Sequence, residues 1–235
     1  MQIEFRPRTH GVVEISDHAV GTAGAPTSDV AFSPSVKAMQ TARGSREAYA
    51  RMERRGGFRT GVTAELAGFL ASVDTAYLAT ASVAGQPYVQ HRGGPPGFIR
   101  PLGPDLLGFA DYAGNRQYIT TGNLAENDRA FLFLMDYAHA RRVKLWGHAR
   151  MTGDPALIAR LMPEGYDARP EQALLFTVTA WDTNCPQHIP RKLNLDDVAA
   201  VLGARDARIK ELEAELAMLK QQAAGAHHGS SERPD

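Results

Sequence analysis

Between Tyr77 and Thr152 the chain carries five short runs of strand-forming residues, set close together and separated by Gly, Pro and Asn turns. The first is Tyr77-Leu78-Ala79-Thr80-Ala81-Ser82. After the turn Ala84-Gly85-Gln86 comes Pro87-Tyr88-Val89-Gln90-His91-Arg92. Leu106 to Asp111, Ala130 to Met135 and Val143 to Arg150 complete the set. This spacing predicts an antiparallel barrel or sandwich rather than a parallel sheet. A sixth run, Ala173 to Asp182, alternates Leu174, Phe176 and Val178 with Leu175, Thr177 and Thr179, which predicts one buried face. Polar groups collect at strand ends and in the loop Tyr112 to Tyr118, where binding residues usually sit.

Composition narrows the function classes. An apolar share of 43% over 235 residues is enough for a core without covalent staples. The formal net charge of zero argues against a nucleic-acid protein working through overall basicity. One cysteine, Cys185, excludes an intrachain disulfide framework and suits a reducing compartment. The opening Met1 to Arg8 has no apolar signal core, and no run approaches a membrane span. The expectation is a soluble, cytoplasmic protein.

Residues 1 to about 33 are rich in Gly, Ala, Pro and Ser without periodicity, and read as an extended arm or a disordered segment. Ser33-Pro34 predicts a helix start, and one helix is expected from there to Arg55, with Gly44 its weak point. It is basic, with Lys37, Arg43, Arg46, Arg51, Arg54 and Arg55 against Glu47 and Glu53. A solvated face explains that charge more simply than an anionic partner. Gly56-Gly57 ends it, and Thr63 caps a short helix through Leu66, Phe69, Leu70 and Val73. Pro155 opens another through Leu161. From Leu195 to about Gln222 the residues Leu195, Val198, Leu202, Ile209, Leu212, Leu216 and Leu219 keep heptad a/d spacing, with Arg205 intruding at one d position.

The order of strand, Gly turn, arginine-bearing strand, strand and basic loop resembles the FMN-binding split barrels related to pyridoxamine 5'-phosphate oxidase. The segment Phe109-Ala110-Asp111-Tyr112-Ala113-Gly114-Asn115-Arg116 is similar to that family's Tyr-Thr-Asn-Tyr-x-Ser-Arg-Lys loop, and Arg142-Val143-Lys144-Leu145-Trp146-Gly147 to its Gln-Val-x-x-x-Gly strand. The likeness runs from about Glu65 to Asp182. It is greatest to members with His-Arg-Gly-Gly in the second strand and Cys-Pro-Gln-His near the end. The fold it implies is mainly β with flanking helices: an antiparallel split β-barrel with an N-terminal helical arm and a C-terminal heptad helix. The implied division is 1–60 for arm and basic helix, 61–192 for an FMN-binding barrel, 193–222 for a coiled-coil helix and 223–235 for a disordered tail.

The resemblance also implies a site. FMN needs arginine forks and backbone N–H groups for its phosphate, and an apolar slot with donors near N1, C2 and N5 for its ring. Arg116 matches the family's phosphate-binding lysine and Asn115 its neighbouring arginine, while Gly114 replaces a hydroxyl donor. Gln90, His91, Arg92 and Gly93 lie on the strand that runs beside the flavin, with Arg92 where an aliphatic residue is usual. Phe109, Ala110, Asp111, Arg142 and Gln187 complete the expected cofactor contacts. His91, Arg92 and His188 are candidates for proton transfer or substrate binding; a lone strand histidine also has a plain structural reading. Cys185 and His188 are too few ligands for a zinc site, and no metal is expected. The function implied is an FMN-dependent oxidoreductase, a homodimer with flavin at its interface and a small-molecule substrate. The alternative is a flavin, deazaflavin or haem carrier without turnover. The catalytic arginine motif of true pyridoxamine phosphate oxidases is not visible after Trp181, so vitamin B6 oxidation is not expected.

Overall fold

The computed structural model describes residues 25–183 and 187–228. The barrel is a single antiparallel sheet of β1 (Thr75–Ala81), β2 (Pro87–Gly93), β3 (Arg100–Pro101), β4 (Leu106–Tyr112), β5 (Arg129–Asp136), β6 (Arg141–Thr152) and β7 (Pro170–Thr183). Its hydrogen-bonded order is β2-β1-β5-β6-β7-β4-β3. The sheet curls until β2, at one end, meets β4 near the other. Arg92 of β2 and Asp111 of β4 form an ion pair across the gap, and no backbone ladder joins the two strands among the described residues. A barrel closed on one side by side chains is a split barrel, as the strand spacing and the resemblance imply.

Alternation fills its interior. Ala76, Leu78 and Thr80 of β1 are buried while Thr75, Tyr77 and Ala79 between them are half-buried. Leu132 and Leu134 of β5, Val143 and Leu145 of β6, and Leu174, Phe176 and Val178 of β7 join Phe109 and Trp181 in one apolar cluster. Each such side chain contributes roughly 1.5–3 kcal/mol by leaving water. Strand β4 is buried along most of its length instead of alternating. The reason is α5 (Pro155–Leu161), whose Leu157, Ile158 and Leu161 pack on Ala110 and Ala173 from outside. Gly147 sits at a bulge in the β6–β7 pairing, where a Cβ would overlap the Thr177 carbonyl and the Phe176 ring. Only glycine fits there.

Three helices stand where the sequence places them. Thr63 accepts from the Leu66 N–H to cap α3 (Ala64–Leu70), Asp154 caps α5, and Ser33 caps the helix that opens at Pro34. The single helix expected from Pro34 to Arg55 is two: α1 (Pro34–Ala42) and α2 (Arg46–Glu53). Gly44, at φ +75°, turns the chain between them, a conformation glycine adopts without a Cβ penalty. Folding back lets Lys37 of α1 reach Glu53 of α2 at 3.5 Å; with Lys37 also 2.6 Å from Asp29 and Arg46 paired to Glu53 along α2, part of the basic charge is matched internally. Aromatic rings dock this segment on the barrel: Phe58 stacks on Trp146 at 5.1 Å, and Phe32 meets Phe58 edge-on.

Helix α4 (Ile119–Glu126) was not expected at all. Its Ile-Thr-Thr-Gly-Asn start is poor in helix formers, and it is held by tertiary contacts: Leu124 and Thr120 are buried, and Asn123 donates to Thr80 Oγ1 at 3.0 Å. The terminal helix α6 (Leu195–His228) continues past Gln222 through an Ala-rich stretch. Most of the arm, Cys185 and the last seven residues lie outside the described residues. No helix among the described residues is long and apolar enough to cross a membrane.

Candidate functional site

The split between β2 and β4 opens into a cleft. Its walls are Tyr88, Gln90 and Arg92 of β2, Asp111 and Tyr112 of β4, the loop Gly114 to Tyr118, and the first turn of α4. The free space, mouth included, is about 420 Å³. Because strand side chains alternate, Gln90 and Arg92 share one face of β2 and point into this space, whereas His91 points away.

A polar network fixes the floor. Arg92 donates to Asp111 Oδ1, with side chains only 12% and 10% exposed. Gln172 Nε2 donates to Asp111 Oδ2 at 2.9 Å and to Thr121 Oγ1 at 3.1 Å. Thr120 Oγ1 donates to Gln90 Oε1 at 2.8 Å. Strand β2 and helix α4 are thereby tied by side chains to the β4–β7 ladder. Arg92 Nε is buried and has no hydrogen-bond partner among the described residues. An unsatisfied buried donor costs about 1–3 kcal/mol, so it is a position where a ligand acceptor gains.

The other wall is built for an anion. Tyr118, the residue before α4, is left-handed at φ +52° and offers no side-chain cap, so the first turn of the helix, whose Ile119, Thr120 and Thr121 line the cleft, begins without one. Arg116 is left-handed as well, at φ +60°. Asn115 Oδ1 accepts from the Gln117 N–H at 3.3 Å, shaping the loop. Two non-glycine left-handed residues in one tight loop cost of order 1 kcal/mol each, a strain that folds concentrate at ligand sites. Exposed Arg116 and an uncapped helix N-terminus on one rim suit a phosphate dianion. The orphaned Arg92 Nε and this rim together fit the phosphate and the polar ring edge of FMN. Burial, and then the neighbouring Tyr166, raise the Tyr112 pKa against the opposing pull of Arg100, so its phenol stays neutral at physiological pH.

The remaining expected residues are dispersed. Phe109 and Ala110 are core residues, Phe109 meeting Phe98 edge-on at 5.7 Å, so only their backbone is available to a ligand. His91 packs edge-on against Tyr77 at 5.7 Å on the outer face. Gly93 makes its close approach to that imidazole and to the Asp74 carbonyl, not to the cleft. Arg142 lines a separate cavity with Phe69, Trp181 and Glu65, and its Nε is also buried without a partner among the described residues. Gln187 and His188 are exposed in the turn after β7, His188 at φ +63°. Among the described residues no cluster of His, Cys, Asp or Glu could hold a metal ion. Sequence reasoning missed Gln172, Thr120 and Thr121, which carry no motif; the odd run Arg116-Gln117-Tyr118 before an unrecognised helix was the available signal.

No curated protein matches the chain. Solved structures similar to it include HupZ from Group A Streptococcus, 15% identical over 56% of this chain and 98% of that one, with a TM-score of 0.43. A putative pyridoxamine 5'-phosphate oxidase from Lactobacillus delbrueckii is 17% identical over 52% and 93%, with a TM-score of 0.40. An FMN-binding protein from Syntrophomonas wolfei is 11% identical over 62% and 97%, with a TM-score of 0.41. Likeness at these levels carries no functional argument. The sequence profile described as pyridoxamine 5'-phosphate oxidase matches residues 62–185, more than half of the 235 residues and the whole of the barrel from β1 to β7. The chain belongs to the pyridoxamine 5'-phosphate oxidase family.

Proposed function

We propose that this chain is a cytoplasmic FMN-dependent oxidoreductase acting on a small molecule, with residues 61–192 as its flavin-binding unit. The observation that carries the reading is the cleft at the split. There Arg116 stands beside the uncapped start of α4, and the orphaned Arg92 Nε lies buried on the floor. Arg116, Asn115 and the α4 amides hold the phosphate. Arg92 and Gln90 address the polar edge of the ring, where donors favour the charge that grows on reduction. FMN, when bound, supplies the electron-transfer chemistry, which is why so few protein acids and bases line the site. Asp111 and Gln172 hold the Arg92 guanidinium in place.

The same reading makes the working form a homodimer. Among the described residues Arg142 lines a different cavity from Arg92 and Arg116, so a site using all three would draw Arg142 from a second copy. The half-buried outer aromatics Tyr77, Phe131 and Phe133 offer a surface for it. The test is a titration of the purified protein with FMN and with riboflavin, followed by visible absorption. An FMN-type spectrum is expected, and Arg116→Ala should weaken FMN about tenfold while riboflavin binding hardly changes. A protein that takes up no FMN ends the reading. A bound flavin that neither bleaches with a reductant nor reoxidises favours the carrier without turnover, and a Soret band favours haem.

A further inference from the structure

Most of the seam of α6 is exposed: Leu195, Leu202, Ile209, Leu212, Leu216 and Leu219 are between 47% and 85% accessible, with Val198 half-buried, an apolar stripe along a 34-residue helix that no described residue covers. Solvated stripes of this length are interaction surfaces. We infer that α6 pairs with α6 of a second copy of this chain as a parallel, in-register coiled coil.

The charges flanking the seam choose the occupant and its direction. With Leu195, Leu202, Ile209 and Leu216 at a, and Val198, Arg205, Leu212 and Leu219 at d, the g positions include Arg208 and Glu215, and the e positions Asp206, Glu213 and Lys220. In a parallel pair each g residue faces the e residue five places on in the other helix. Arg208 then meets the partner's Glu213, and Glu215 meets the partner's Lys220. Both contacts join opposite charges, and symmetry repeats each. An antiparallel pair with the same overlap sets e against e and g against g. That brings Arg208 against Arg208 of the partner subunit and Asp206 against Asp206 of the partner subunit.

The polar d residue fits the parallel arrangement too. A d side chain enters a hole bordered by the e residue that follows its own counterpart, so Arg205 reaches the partner's Asp206 while its stem lies along the seam. In the single chain Arg208 instead turns along its own helix, to Glu211 at 2.9 Å and Glu215 at 3.8 Å. These exposed pairs are weak and exchange readily.

Disulfide capture in the full chain tests it, in a Cys185→Ser background so that only the introduced thiol reacts. Leu212→Cys, at d, lies opposite its own copy in a parallel pair and should convert to covalent dimer under mild oxidation. Met218→Cys, at an outward c position, should remain monomeric by the same assay. Arg208→Glu added to Leu212→Cys should lower the covalent fraction several-fold, and Glu213→Arg added to that should restore it. Positions 208 and 213 are five apart and are not neighbours on one helix, so restoration reports contact between chains. Capture of Leu212→Cys only by a Leu202→Cys partner overturns the parallel direction. Absence of capture in both arrangements, with the far-UV helical signal intact, overturns the pairing. Equal capture at 212 and 218 reduces it to random collision.

Discussion

Strands β2 and β7 belong to one sheet and are held in opposite ways. β7 has a backbone neighbour on each side, pairing with β6 from Ala173 to Thr183 and with β4 from Pro170 to Thr177. Its residues Ala173 to Phe176 are buried on both faces. β2 has one backbone neighbour, β1, and its alternate residues are exposed. Its other edge is held by Arg92 to Asp111 and by Gln90 to Thr120. A backbone ladder between β2 and β4 would close the seam where the cleft now opens. Leaving one seam to polar side chains makes a cleft whose walls carry donors, and moves the burden of stability to the β5–β6–β7 side.

Truncating the strong side should cost most. Phe176→Ala removes a fully buried ring that fills the space above Gly147, and about 4 kcal/mol of stability should be lost. Denaturant unfolding measures it; a loss below about 1 kcal/mol would break the comparison. At the seam, Asp111→Ala leaves the Arg92 charge buried and unpaired, and should cost about 3 kcal/mol. The double variant Arg92→Leu with Asp111→Leu should recover most of that, since paired replacement of a buried ion pair by apolar groups is often nearly neutral. It should nevertheless bind FMN more weakly, which separates what the pair does for the ligand from what it does for the fold. The smallest effect is expected for Thr120→Val, which removes the hydroxyl donor to Gln90 at a cost of about 1 kcal/mol. Hydrogen exchange should then quicken in β2 before it does in β7.

The cleft was half legible. Gln90, Arg92, Asp111, Asn115 and Arg116 do line one space, and the resemblance pointed to them because they stand on β2 and on the end of β4 and the loop that follows it. His91 stood beside them in the sequence, but an alternating strand sends neighbours to opposite faces. Phe109 and Ala110 belong to a strand packed from both sides, where no pattern tells a ligand wall from a core wall. Gln172 lies 61 residues from the Asp111 it orients.

What the sequence by itself determined is local. The strand runs, the inward set on β7, the caps at Ser33, Thr63 and Asp154, and the heptad spacing of α6 follow from side-chain periodicity and end chemistry, which act over a few residues. Tertiary structure alone decided which strand closes on which, that Arg92 finds Asp111 across the split, and that a weak helical sequence becomes α4 above the cleft. Those outcomes depend on sheet curvature and on contacts between residues far apart in the chain. Their free energy exists only once the barrel has formed, so no local propensity could announce them.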